Sequence, residues 1–118
     1  MALGMSVSMA SELGFLSKVR PRRPQLPTVA RILFATEQAS GLPIEVLVGP
    51  ECDPGVSQVR QLAMLIARDI GEKRLVAIAK HLNRKTSTVA EGIGRARKRL
   101  GEELVYRQLR DDILKRLG

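Results

Sequence analysis

Apolar residues recur along the chain three or four positions apart, as in amphipathic helices, and no stretch alternates apolar and polar residues as a half-buried strand does. The clearest pattern follows Asp53-Pro54, an N-cap residue with proline at the first helical position, where its missing N–H costs nothing. We therefore predict a central scaffold helix that begins at Pro54 and is ended by Gly71. Its buried face is predicted to contain Val59, Leu62, Ala63, Ile66 and Ile70, widened by Met64 and Leu65.

Two shorter helices are predicted before this scaffold helix. Thr28 is a good N-cap and Gly41 can adopt the left-handed conformation of a C-cap, so the first helix lies between these two residues. Pro43 then opens a short helical turn, which ends at Gly49-Pro50. The side chains expected to be buried in these two helices are Val29, Ile32, Leu33, Ile44, Leu47 and Val48.

A short helix and a longer helix are predicted after the scaffold helix, with a tight turn between them. The short helix covers Lys73–Leu82, and Asn83 can take the left-handed conformation that ends it. Thr88-Val89-Ala90-Glu91 matches a capping box at the start of the longer helix, although the start can also lie two residues earlier. The residues expected to face inward are Leu75, Ile78, Ala79, Leu82, Val89, Ile93, Ala96 and Leu100.

A last amphipathic helix is predicted from about Glu102 to Leu117, after a break at Gly101. Since every predicted element is a helix, the expected fold class is all-α, a compact multi-helix domain over residues 28–118. Residues 1–27 are predicted to be a flexible, basic tail, because three prolines within positions 21–27 prevent regular helix hydrogen bonding. This tail is either a solvated leader or a basic arm that follows a phosphate backbone.

The positive charge is concentrated in one part of the sequence. The chain has a formal net charge of +8, and the window 73–99 contains nine basic residues against the single acid Glu91. A local basic field of this kind attracts a polyanion. Nucleic acid is the first candidate for this partner, and an acidic membrane surface is the second.

Few residues in the sequence suggest chemistry. Cys52 is the only cysteine, so the chain forms no internal disulfide and no cysteine-based metal site, and His81 is the only histidine. No apolar run approaches the roughly 20 residues that span a bilayer. We expect a cytoplasmic, nucleoid-associated protein that is not an enzyme and has no catalytic residues, no metal site, no cofactor and no membrane partner.

The two helices predicted between residues 73 and 100 form a candidate helix-turn-helix. In such a unit the first turns of the second helix reach base edges, so small polar residues are favoured there, while basic residues nearby contact phosphates. By position, the residues expected to read bases are Lys85, Thr86, Ser87 and Ala90, and those expected to contact phosphates are Lys73, Arg74, Arg84, Arg95 and Lys98. The alternative is a protein-interaction module whose basic surface is merely solvated.

From Thr28 onward the chain resembles the C-terminal DNA-binding domain of the bacterial replication initiator DnaA. The segments Ala39–Gly49 and Val59–Ile70 carry the resemblance, and the second is similar to that family's Arg-Gln-Ile-Ala-Met-Tyr-Leu-Ala-Arg-Glu-Leu. Arg84 and Thr86–Val89 fall on its Arg-Asp-His-Thr-Thr-Val signature. The resemblance implies a fold like that of the DnaA C-terminal domain, which is similar to the Trp repressor.

The resemblance also implies roles for single residues. Arg60 matches an arginine that enters the minor groove, and Arg68 matches a basic residue on the phosphate backbone. Ser87 and Thr88 match two threonines that hydrogen-bond phosphate and base edges, which adds Thr88 to the expected base-reading group.

The sequence departs from the DnaA pattern in two places. Lys85 and Thr86 replace the family's Asp-His pair, and Pro50–Pro54 forms an acidic loop where the family has a basic one. The sequence also contains no Gly-x-x-x-x-Gly-Lys-Ser/Thr phosphate loop. We therefore expect sequence-preferring binding of double-stranded DNA by a replication or transcription regulator that binds no nucleotide and can form a homodimer, rather than an initiator ATPase.

Overall fold

A computed structural model describes residues 26–118, and in this part of the chain it contains six helices and no strand. The predicted all-α class is therefore confirmed for these residues. The predicted N-terminal tail lies outside them, except for its last two residues. In chain order the helices are α1 (Val29–Ser40), α2 (Ile44–Leu47), α3 (Pro54–Asp69), α4 (Leu75–Leu82), α5 (Thr86–Glu102) and α6 (Leu104–Leu117).

Local capping chemistry sets the ends of the first helices, as predicted. The Thr28 hydroxyl accepts a hydrogen bond from the backbone N–H of Arg31 at 3.1 Å, and Gly41 ends α1 in the left-handed conformation with φ 80°. The Asp53 carboxylate accepts from the N–H of Gly55 at 3.0 Å and caps α3. These contacts satisfy backbone groups that a helix end leaves unpaired.

The scaffold helix α3 lies at the centre of the fold. Six consecutive residues, Leu62–Ala67, are buried, because α3 packs against α1, α2, α4 and α5 and so has neighbours around its whole circumference. The predicted face is correct except at its C-terminal end, and Val59 at its N-terminal end is half-buried against the core. Ile70 lies beyond the last turn with 42% of its surface exposed, so the prediction that it is buried was wrong.

The C-terminal helix α6 packs along α1 and closes the core. Ile113 of α6 is fully buried. The hydroxyl of Tyr106 donates to the carbonyl of Gln58 in α3 at 2.6 Å, and burial raises the pKa of this phenol far above its usual range. Helix α6 therefore packs on α1 and is joined to α3 by a part-buried hydrogen bond.

Two predicted boundaries were wrong. Gly101 does not break the chain: it lies inside α5 on an exposed face, where a glycine costs only about 1 kcal/mol. The direction changes instead at Glu103, whose backbone is extended. Lys73 is outside α4, because its N–H is bonded to the carbonyl of Ala67 in α3, and the left-handed residue of this connection is Glu72 (φ 53°).

Candidate nucleic-acid interface

Helices α4 and α5 form a compact unit with a three-residue connection, Asn83–Lys85. Asn83 adopts the left-handed conformation that the sequence predicted, with φ 54° and ψ 45°. Leu82 at the end of α4 and Val89 near the start of α5 each expose no more than 1% of their surface. Because both flanks of the turn are anchored in the core, the angle between the two helices is fixed by packing.

The first turn of α5 differs from the predicted capping box. Lys85 occupies the N-cap position with extended backbone (φ −74°, ψ 150°), and the N–H of Val89 donates to its carbonyl at 3.1 Å. Thr88 therefore lies within the first turn, and the alternative start at Thr86 is the correct one. The early N–H groups of α5 have no helical acceptor and carry the positive end of the helix dipole.

A glycine brings α5 close to the scaffold helix. A Cβ atom on Gly92 would lie 2.7 Å from Sδ of Met64 and 3.2 Å from Cγ of Gln61, so the lack of a side chain at Gly92 lets α5 approach α3 closely. Gly94 is exposed, and a Cβ there would meet no atom within 4 Å. One side of α5 is thus pressed against α3 while the other is open to a partner.

All five residues expected to read bases are exposed and adjacent. They occupy the N-cap and the first two turns of α5, on the part of the helix that points away from the core. They carry one ammonium group, three hydroxyls and one methyl group, and their base-reading role stays a prediction. These residues are Lys85, Thr86, Ser87, Thr88 and Ala90.

The basic residues of α5 fall into two groups. Arg97 forms a two-point ion pair with Asp69 of α3, at 2.8 and 2.9 Å, and Arg99 pairs with Glu103 at 2.6 Å. Within residues 26–118, neither Arg95 nor Lys98 has an ion pair, and both are exposed. The uncompensated positive charge of α5 therefore lies with the two residues that the sequence assigned to phosphates.

A second basic cluster lies at the other end of α4. Arg74 is its exposed N-cap residue, and the half-buried Lys73 precedes it. The exposed Arg68, at the end of α3, donates to the carbonyl of Lys73 at 3.0 Å and so belongs to the same cluster. An eight-residue helix is about 12 Å long, so α4 separates this cluster from the start of α5 by roughly that distance.

Arg60 is not on the surface. Only 4% of it is exposed, and its guanidinium donates to the carbonyls of Leu47 (2.6 Å), Val46 (3.2 Å) and Gly49 (3.4 Å). Burial lowers the pKa of Arg60, and the nearby charge of Arg84 lowers it further. The minor-groove role stays a prediction, and it would require this side chain to leave carbonyl partners inside the protein.

Arg84 is also bonded to the protein backbone rather than free. Its Nη1 donates to the carbonyls of Leu82 and Asn83, both at 3.1 Å, and its Nη2 donates to the carbonyl of Gly49 at 2.5 Å. Sequence reasoning did not find this arrangement. The available signal was its place just after a helix end, where basic side chains bond the last carbonyls.

No protein-family model matches the chain, and no curated protein matches its sequence. None of the helices between residues 26 and 118 is long and apolar enough to cross a membrane. A function for this chain must therefore be inferred from its own geometry and charges.

Proposed function

We propose that this protein binds double-stranded DNA with a sequence preference, through a helix-turn-helix made of α4 and α5. One observation carries the proposal: α5 has an exposed polar start, and further along the same helix the exposed cations Arg95 and Lys98 have no ion pair within residues 26–118. The same helix packs closely against the scaffold helix at Gly92. A rigid helix with a small polar tip and a free basic side is suited to the major groove.

The start of α5 supplies groups for reading base edges. The hydroxyls of Thr86 and Ser87 can donate and accept hydrogen bonds, and Lys85 can donate to acceptor atoms of guanine. Ala90 is small and exposed, so it would meet a thymine methyl without obstruction. The free N–H groups and dipole of this helix end would add attraction for a nearby phosphate.

The remaining basic residues supply affinity rather than sequence choice. Arg95 and Lys98 would contact phosphates along α5, while Arg68, Lys73 and Arg74 would contact the backbone about one α4 length away. Each neutralised phosphate releases counterions, so binding should weaken steeply as salt rises. Five such contacts correspond to a slope of roughly −4 to −5 for log affinity against log salt.

The resemblance to the DnaA C-terminal domain supports the same proposal, because it aligns α5 with a DNA-reading helix. Lys85 and Thr86 stand where that family has Asp-His, so we propose that the preferred site differs from the initiator box. We propose a role in regulating replication or transcription for this chain, whose 118 residues contain no phosphate loop.

The test is selection of bound sequences from random duplex DNA, followed by affinity measurements at three or more salt concentrations. The proposal expects an enriched sequence and a slope close to the value above. Absence of binding at low salt would reject it and would favour a protein-interaction module. The observation behind that second candidate is a pair of large apolar residues at the start of α6, Leu104 and Val105, with 60% and 74% of their surfaces exposed.

A further inference from the structure

Four successive backbone carbonyls at the end of α2, those of Val46–Gly49, each accept a hydrogen bond from a distant side chain. Arg60 of α3 bonds the carbonyls of Val46, Leu47 and Gly49. The side-chain amide of Asn83 donates to Val48 at 3.3 Å, and Arg84 donates to Gly49 at 2.5 Å. A helix end presents unpaired carbonyls and a partial negative charge, so it is a favourable place for two guanidinium groups.

Two of these donors belong to the turn that precedes α5. Asn83 and Arg84 lie only three and two residues before Thr86, the first residue of α5. Arg84 also bonds the carbonyls of Leu82 and Asn83, so a single side chain joins the end of α4 to the end of α2. From the other side, the buried Arg60 fixes the same carbonyls to the scaffold helix.

We infer that Arg84 is a positioning residue, which joins the turn before α5 to the end of α2 and thereby directs the DNA-reading residues. This inference rests on the proposed DNA binding, and it replaces the phosphate contact that the sequence suggested for Arg84. Three of the five N–H donors of the Arg84 guanidinium are used in hydrogen bonds to backbone carbonyls of the protein. By contrast, Lys98 is exposed and has no ion pair among residues 26–118, as expected of a phosphate ligand.

A positioning role and a phosphate-binding role for Arg84 give opposite results in one experiment on the full chain. The variants are Arg84→Ala and Arg84→Lys, with Lys98→Ala as the matched control, which removes one positive charge from the same surface. Each is measured for its thermal midpoint and for its affinity to the selected site and to random duplex DNA across a range of salt.

For Arg84→Ala, the inference expects a midpoint lower by about 5 °C or more, because the carbonyls of Leu82, Asn83 and Gly49 lose a charged donor that joins α4 to α2. It also expects an unchanged salt slope. The ratio of selected-site to random-DNA affinity should fall roughly fivefold or more, since base contacts depend on the direction of α5 and charge attraction does not. Arg84→Lys should not restore this ratio, because an ammonium lacks the guanidinium fork that reaches several carbonyls.

The control should behave in the opposite way, with a salt slope smaller by about 1, an unchanged midpoint and an unchanged ratio. If Arg84→Ala gives the control's pattern, or if Arg84→Lys restores both affinities, Arg84 is a phosphate ligand and the inference is overturned while DNA binding stands. If the unaltered protein binds no DNA at any salt, the proposed function fails and the positioning role fails with it, whatever the midpoints.

Discussion

Arg95 and Arg97 are only two residues apart on α5, yet they have different surroundings. Two residues on a helix are separated by about 200° around its axis, so they face nearly opposite sides. Arg97 meets Asp69 of α3 in a two-point ion pair, whereas Arg95 is exposed and has no ion pair between residues 26 and 118. The number of charges in a sequence window thus overstates the charge that is available to a partner.

The same contrast applies to the arginines around the turn. Arg60 and Arg84 belong to the basic residues that the sequence assigned to DNA, but both donate to backbone carbonyls at the end of α2. Lys85, directly after Arg84, is exposed, and no ion pair involves it in the described part of the chain. The two sets are the anchored arginines, Arg60 and Arg84, and the free cations, Lys85, Arg95 and Lys98.

The largest effect is expected for the anchored Arg60. Arg60→Ala would leave the buried carbonyl of Leu47 without its donor, take one of two donors from the carbonyls of Val46 and Gly49, and open a cavity. We therefore expect the free energy of unfolding to fall by about 3 kcal/mol. Denaturant unfolding measures this loss, with Arg95→Ala as the exposed control, for which a change within about 0.5 kcal/mol is expected. A loss as small as that of the control would mean that the carbonyl contacts contribute little.

The minor-groove role of Arg60 has a separate readout. If its side chain enters the minor groove, Arg60→Ala should weaken binding most on sites with an A·T-rich flank, where the narrow groove concentrates negative potential. Affinities are measured at a temperature at which the variant is fully folded. Two duplexes are compared that share the central site and differ only in having A·T-rich or G·C-rich flanks. A loss of equal size on both flanks would exclude the minor-groove role, and no loss on either flank would exclude any contact of Arg60 with DNA.

The second effect concerns specificity at the start of α5. Thr86→Ala and Ser87→Ala each remove one exposed hydroxyl, so a lost base contact should change site preference by roughly 1–3 kcal/mol. The measurement is relative affinity across a panel of single-base variants of the selected site. Lys98→Ala is the control, because loss of a phosphate contact weakens all sites alike. If the order of sites is the same in all three variants, these hydroxyls do not read bases.

The third effect compares the two neighbouring arginines directly. Arg95→Ala should lower the salt slope by about 1, because a free cation loses its phosphate contact. Arg97→Ala removes the same charge from a side chain already paired with Asp69, so its slope should stay unchanged. Titrations of the same duplex at several salt concentrations decide between them. If both variants lower the salt slope by the same amount, the ion pair with Asp69 does not keep Arg97 from contacting phosphate. If neither lowers it, Arg95 is not a phosphate ligand.

Features set by adjacent residues were predictable from the sequence. The caps at Thr28 and Asp53 form because a side chain and an N–H two or three residues later meet in any helix start. The anchoring of Arg60 was not predictable, because its acceptors lie 11 to 14 residues away and only the packing of α2 on α3 brings them together. The pairing of Arg97 with Asp69 likewise depends on how α5 crosses α3.

The smallest effect is expected when Arg97 is released from its ion pair, so that it resembles the exposed Arg95. Asp69→Asn removes the charge that holds Arg97 but keeps the size of the side chain, so Arg97 becomes a free cation. An exposed ion pair contributes only about 0–1 kcal/mol, so the protein should remain folded with a slightly lower unfolding midpoint.

For DNA, the loss of one carboxylate should raise affinity at low salt by roughly twofold to fivefold, and the gain should disappear near 1 M salt, where charges are screened within about 3 Å. The matched control is Asp112→Asn, which frees Arg116 at the C-terminal end of α6, outside the proposed interface. We expect the control to gain less, since attraction between exposed charges falls off within a Debye length. Equal gains for both variants would show that affinity follows net charge alone, and the side of α5 that carries the free cations would then not define the DNA-binding surface.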